Sequence, residues 1–196
     1  ALCEAASQMG AVQVRNLATL GGNVANAATA ADGVPALIAM DAVAVVKSPG
    51  SGRTLPVAQV LTGINQTCLE KDEVITEFLM KAQPGAAKVF QKIGRRKALA
   101  ISRINLALCA HMDGSKVQSI RVAVGAVGKT CYRVTEVEDF LAGKELTESV
   151  MTEAADLMDE VVARNLAGRS TTPYKRKIAW AVLKQGLARI ARGEGV

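Results

Sequence analysis

Apolar and polar positions alternate irregularly in the first third of the chain and settle into long periodic runs in the rest. Residues 2–9 suit a short helix. Gln13-Val14-Arg15-Asn16-Leu17-Ala18-Thr19-Leu20 alternates, as a strand or an ordered loop does, and Gly21-Gly22 ends it. A run of small residues follows from Asn23 to Ala31. Asp32 stands at a helix N-cap position with Pro35 in the first turn, which predicts a helix over 34–40. Ala42–Lys47 is a strand by its β-branched content, Pro49–Gly52 a turn, Arg53–Val57 a return strand, and Val74–Met80 another strand.

Gln83-Pro84-Gly85-Ala86 reads as a linker between two modules. Beyond it, Lys88–Ile93, Ala107–Met112 and Val117–Val127 predict a three-stranded antiparallel meander, with Asp113-Gly114-Ser115 as a hairpin turn. The period then changes. Thr135-Glu136-Val137-Glu138 has the spacing of a capping box, with Val137, Phe140 and Leu141 on one face. Residues 148–165 form an amphipathic helix with Val150, Ala154, Leu157, Met158, Val161 and Val162 inward. Pro173 starts a last helix whose apolar side holds Ile178, Ala181, Val182, Leu187 and Ile190. The fold class is α+β, in two modules.

Composition narrows the chemistry. Aromatics are 3% of the 196 residues, so Ala, Val, Leu, Ile and Met must build the core, with Trp180 among them. The single histidine, His111, excludes a multi-histidine zinc site, and it reads as a surface or capping residue. Cys3, Cys68, Cys109 and Cys131 form no CxxC pair and read as reduced, mostly buried packing residues. No apolar run reaches the roughly 20 residues of a membrane span, and no basic leader is visible at Ala1. Without an initiator Met at its start, the chain is expected to be processed, trimmed or a fragment.

The net charge of +6 is uneven. Residues 1–80 hold four basic and seven acidic side chains, a balance of −3, and the remainder carries +9. Lys88, Lys92, Arg95, Arg96, Lys97 and Arg103 make a basic stretch. With so few aromatics to stack on bases, a solvated or subunit-facing surface is favoured over nucleic acid. Arg95 or Arg96 is a candidate for favouring a dinucleotide phosphate. Lys175-Arg176-Lys177 opposes the dipole of the last helix and needs acidic neighbours or a partner. Glu153, Asp156, Asp159 and Glu160 read as a solvated helix face.

The segment from Thr19 to Asp32 carries the most chemistry. Adjacent glycines allow close backbone approach and their N–H groups can face an anion. Thr19, Asn23, Asn26 and Thr29 add neutral hydrogen-bonding groups among alanines. This suits a ribityl or pyrophosphate chain held by backbone and neutral side chains. The same residues also suit a tight turn, small-residue packing and a helix cap.

Gln13–Asn23 (QVRNLATLGGN) followed by Ala31–Leu37 (ADGVPAL) resembles the FAD-binding medium subunits of molybdenum hydroxylases, the xanthine dehydrogenase and carbon monoxide dehydrogenase flavoprotein family. The likeness continues through Phe90–Ser102 (FQKIGRRKALAIS), Arg121–Val127 (RVAVGAV) and Arg169-Ser170 to Tyr174-Lys175-Arg176, in collinear order. It implies that residues 1–82 are the second lobe of a two-lobed FAD-binding domain. Residues 87–196 would be the family's C-terminal domain, a three-stranded sheet with packed helices. FAD contacts are implied at Met9, Thr19, Leu20, Gly21, Gly22, Asn23, Asn26, Asp32, Ile75 and Lys92.

No catalytic acid or base and no metal ligand is implied in this chain. Partner subunits would carry the molybdenum cofactor and the 2Fe-2S clusters, and electrons would leave through FAD to NAD or another acceptor in the cytoplasm. The family's first lobe, with its A-G-G-T-like loop, precedes the region matched. The chain is therefore expected to be a fragment or one piece of a cleaved subunit that alone binds FAD weakly or not at all. Relatives often carry Ser-Pro where Ala28-Thr29 stands. The alternative is a scaffold that binds partner subunits without FAD.

Overall fold

The computed structural model of the chain describes residues 1–96 and 99–195. Lys97, of the basic stretch, lies outside the described residues. The chain opens with three short helices, α1 (Leu2–Ser7), α2 (Val12–Leu17) and α3 (Leu20–Ala25). Gln13–Leu20 is thus helical on both sides of a break at Ala18, not the alternating strand or loop that its pattern predicts. Its alternation has another cause. Helix α2 buries none of its residues, and Val12, Val14 and Leu17 face outward. With no core against that face, periodicity carries no information about secondary structure. Gly21 and Gly22 sit in the first turn of α3 rather than ending an element.

Helix α4 (Gly33–Ala39) is buried along its whole length, which explains why its sequence is apolar all round rather than amphipathic. Asp32 stands at its N-cap but does not cap it. Its backbone is already helical (φ −74°, ψ −33°), so its carboxylate cannot reach the following N–H groups. Next come β1 (Val43–Ser48), β2 (Ser51–Pro56), α5 (Val57–Val60), the small hairpin β3 (Leu61–Gly63) and β4 (Gln66–Thr67), and β5 (Val74–Leu79). β1 pairs antiparallel with both β2 and β5 in a three-stranded sheet, order β2-β1-β5.

The second sheet runs β6 (Ala87–Gly94), β7 (Ser102–Asp113), β8 (Lys116–Gly125) and β9 (Tyr132–Arg133), all antiparallel and in that order. The expected three strands are there, and the two-residue β9 adds a fourth on the far edge. Strand β7 is buried on both faces. Leu106, Leu108 and Ala110 point into a core shared with α6 (Thr135–Leu141), α7 (Glu148–Asn165) and α8 (Thr172–Ala191). Ala107 and Cys109 join Phe90 and Ala123 in the second core, which holds α4. One sheet therefore serves two hydrophobic clusters, and α4 packs directly on β7 and β8.

Three smaller expectations are corrected. The capping box at Thr135–Glu138 does not form, because Val134 takes the N-cap place. Glu138 turns away to accept the Val122 N–H at 2.8 Å and to pair with Arg133. Trp180 is not core. It lies half-buried with its indole N–H donated to Asp156 at 2.8 Å and the Lys184 ammonium 5.0 Å from its ring centroid. Of the four free cysteines, Cys109 and Cys131 are buried, Cys68 half-buried and Cys3 exposed. Arg176 at the start of α8 is held by Asp159, and Lys175 by the Ala126 carbonyl, so acidic and backbone neighbours within the chain hold two of its three cations. Among the described residues no helix is long and apolar enough to cross a membrane.

Candidate functional site

Thr19 caps α3, its hydroxyl accepting the Gly22 N–H at 2.9 Å. The first N–H groups of a helix have no intrahelical acceptor. Here Leu20 and Gly21 supply two of them, and among the described residues neither meets a protein acceptor. Gly21 lies over β5. A Cβ there would stand 3.1 Å from the Ile75 carbonyl oxygen and 3.7 Å from Ile75 Cβ, so this approach belongs to a residue without a side chain.

One turn on, Asn23 bridges two segments. Its Oδ1 accepts the Gly33 N–H at 3.2 Å, supplying the cap that Asp32 does not give α4. Its Nδ2 points to the Met9 sulfur at 3.7 Å. Met9 is tied in turn by Arg15, whose Nη1 donates to the Met9 and Gly10 carbonyls at 2.9 and 3.1 Å.

Asp32 is spared from capping for another purpose. Its Oδ2 accepts the Lys92 ammonium at 2.5 Å, and its Oδ1 accepts from Ser102 Oγ at 2.6 Å and from Asn105 Nδ2 at 2.8 Å. Lys92 also donates to the Gln8 carbonyl at 3.0 Å. Both side chains of the ion pair are under a tenth exposed. A buried pair of this kind is costly unless further hydrogen bonds complete it, and here they do. Beside it, Cys131 is pushed up to about 12, mainly by burial and secondarily by the negative charge of Asp32.

The residues that sequence singled out thus form a continuous run. Gly21 and Ile75 meet at one end, Asn23 and Met9 in the middle, and Asp32 and Lys92 at the other. Asn26 stands apart, exposed at the C-terminal end of α3. Lys92 opens onto a cavity of about 850 Å³ whose wall includes Gln8, Gly10, Arg15, Arg95 and Arg96. Arg96 is engaged with the Leu99 carbonyl at 3.1 Å. The sequence motifs do not mark Ser102 and Asn105 as site residues. The available signal was two polar residues at the start of an otherwise apolar strand, which marks a buried partner.

The donor set is backbone N–H groups, neutral amides and one neutralised cation, around a glycine-faced helix end. That chemistry fits a pyrophosphate or ribityl chain without a bound metal.

Two family profiles match the chain. Residues 1–80 match the family profile described as the FAD binding domain in molybdopterin dehydrogenase. Residues 88–190 match the CO dehydrogenase flavoprotein C-terminal domain. The chain is 30% identical to the nicotinate dehydrogenase FAD-subunit of Eubacterium barkeri over 94% of its own length and 64% of that protein's. It is 28% identical to the xanthine dehydrogenase FAD-binding subunit of Escherichia coli O157:H7, over 100% of its own length and 68% of that protein's. A solved carbon monoxide dehydrogenase from Hydrogenophaga pseudoflava superposes with a TM-score of 0.88 at 27% identity, covering 98% of this chain and 67% of that one. The chain spans about two-thirds of the length of these relatives.

Proposed function

Because the chain belongs to the family of FAD-binding subunits of molybdopterin dehydrogenases, we propose that it is the second FAD lobe (1–82) and C-terminal domain (87–196) of an electron-transfer subunit in a xanthine dehydrogenase-like molybdenum hydroxylase. Iron–sulfur and molybdenum subunits would be its partners in the cytoplasm, with NAD or another acceptor taking the electrons. The observation that supports this best is the run of groups from the open N–H pair of Leu20 and Gly21 to the Lys92 ammonium.

FAD, when bound, supplies the redox chemistry. The chain's residues supply position. The Leu20 and Gly21 N–H groups would bind phosphate oxygens, with Thr19 holding the turn and Gly22 leaving its outer face clear. Asn23 locks α3 to α4 and to Met9, so the N–H pair keeps a fixed distance from Asp32 and Lys92. Ile75, whose carbonyl oxygen lies against Gly21, would offer the flavin an apolar contact. Asn26 would meet a more distant part of the same ligand. Lys92 would present a cation already matched by Asp32, so the site orients a ligand without adding net charge.

The test is the visible spectrum of the assembly that purifies with this chain. A flavin absorbance is expected, lost in Gly21→Val while the iron–sulfur bands persist. The branched side chain would collide with Ile75 and cover the N–H pair. A flavin-free assembly in the unaltered protein overturns the reading and leaves the scaffold alternative.

A further inference from the structure

Four buried or nearly buried polar side chains meet where the two cores join: Asp32, Lys92, Ser102 and Asn105. Ser102 and Asn105 lie near the start of β7, far along the chain from Asp32. Neither is part of the apolar core around it, and Asn105, fully buried, leaves its Oδ1 without a partner. Turning the amide over would set that oxygen against Asp32 Oδ1 and the Ala31 carbonyl, both acceptors, so the observed orientation is the one that the neighbours permit. The protein therefore tolerates an unsatisfied buried oxygen in order to place a donor on Asp32.

The geometry on Asp32 is divided. Both neutral donors fall on Oδ1, and Oδ2 is left to the ammonium alone. All three neighbours donate to it. With its torsion fixed by Ser102 and Asn105, Asp32 presents one oxygen in one direction. Lys92, on a flexible four-carbon stem, has its ammonium placed between that oxygen and the Gln8 carbonyl, at the wall of the 850 Å³ cavity. Without the two donors the carboxylate could rotate, and the ammonium would follow it or swing into the cavity.

We propose that Ser102 and Asn105 are positioning residues that aim Asp32 at Lys92 and so fix the cation that faces the flavin. The proposal rests on the flavoprotein reading. Its consequence is that removing a hydroxyl that touches no ligand changes how the site meets FAD, and does so only through Lys92.

The experiment has two arms, both on the purified assembly. In the first, acetic anhydride acetylation of Lys92 is followed by peptide mass spectrometry, with and without bound flavin. Ser102→Ala and the milder-volume variant Asn105→Ser are expected to label several-fold faster than the unaltered protein, and Ser102→Thr at the original rate. In the second arm, the FAD dissociation constant is measured by equilibrium dialysis in a double-mutant cycle. Ser102→Ala is expected to weaken FAD about tenfold, in keeping with one hydrogen bond to a charged group. In a Lys92→Met background it should have no further effect. Equal weakening in both backgrounds overturns the proposal, because Ser102 would then act through the fold rather than through Lys92. Unchanged labelling of Lys92 also overturns it. Faster labelling with an unchanged FAD constant shows a clasp that does not serve the flavin, and overturns it too. An unaltered assembly without flavin instead overturns the flavoprotein reading, and shows itself in the spectrum before any variant is made.

Discussion

Gly125→Ala tests the way in which the two cores are joined. Gly125 ends β8 directly opposite Asn105 on β7. An added Cβ would overlap Asn105 Oδ1 outright, stand 2.8 Å from Cys131 Sγ and lie 3.1 Å from the Thr29 carbonyl oxygen. Gly125 is not among the residues with positive φ, so its backbone suits alanine and the cost is one of packing. None of the three neighbours is free to step aside. Asn105 is pinned by Asp32 and the Ala31 carbonyl, Cys131 is buried, and the Thr29 oxygen accepts the Ala126 N–H at 2.6 Å.

Overpacking a filled site costs about 1–3 kcal/mol, and displacing Asn105 from a charged acceptor adds about 1.5–3 kcal/mol. Part of that second cost is recovered by relaxation, so about 3 kcal/mol is expected. That is a substantial share of the roughly 5–15 kcal/mol that holds a folded protein together. At about 2–4 °C per kcal/mol for a chain of this size, the melting temperature should fall by about 6–12 °C. Differential scanning calorimetry reads this directly. Gly52→Ala is the control, since its Cβ would make only ordinary contacts, 3.4 Å from the Val46 oxygen and 3.7 Å from Lys47 Cγ. It should melt within about 2 °C of the parent, as exposed substitutions do. Combining Gly125→Ala with Asn105→Ala should cost less than the sum of the two. If Gly125→Ala melts with the parent, the overlap with Asn105 is not what it is taken to be, and the polar junction is looser than described.

Two further outcomes are expected. Burial pushes the Glu4 carboxyl upward, but hydrogen bonds from Arg189 and the Phe90 N–H, with the charge of Arg189, outweigh it and hold it below its ordinary 4.5. A depressed carboxyl contributes stability that is present above 4.5 and lost as pH falls through its lower folded value. Glu4→Gln should therefore lower the urea midpoint at about pH 7, with the gap from the parent shrinking as the pH is taken below 4.5, and a gap that stays constant as the pH falls refutes this. Burial drives the Cys131 thiol up to about 12, where little thiolate exists to react. At about pH 8, iodoacetamide should label Cys3 in the folded protein and spare Cys131, and comparable labelling of the two by mass spectrometry refutes the burial argument.

Much of the fold is legible in the residues, and the exceptions have physical causes. β1, α7 and α8 follow their hydrophobic periods because each buries a defined face against the same chain, and β7 reads as a near-continuous apolar run because it is buried on both faces. The α2 segment misleads because Val12, Val14 and Leu17 bury nothing within this chain, so tertiary selection has not shaped their spacing into a helical stripe. Both failed caps have one cause. Asp32 and Glu138 carry the right residue types at the right places for helix starts, yet each carboxylate is drawn elsewhere, Asp32 to Lys92, Ser102 and Asn105 and Glu138 to Arg133 and the Val122 N–H. Charge-assisted hydrogen bonds to a cation outweigh a cap of about 1 kcal/mol.

The same division holds for the candidate site. Thr19-Leu20-Gly21-Gly22-Asn23 and Asp32 supply, by residue type and adjacency, backbone and neutral donors that suit a phosphate-bearing cofactor and a tight turn or helix cap alike, and the collinear resemblance to the flavoprotein family favoured the cofactor. Donor type is legible locally because it resides in residue type and adjacency. Only the tertiary structure decided that Asn23 rather than Asp32 caps α4, and that Asp32 instead meets Lys92, Ser102 and Asn105, which are 60, 70 and 73 residues away along the chain. Those pairings depend on β7 packing α4 against one face while α7 and α8 cover the other. No local pattern encodes which buried carboxylate a distant ammonium will find. The energy of that choice lies in desolvation and burial, which exist only once the two cores have closed on a shared sheet.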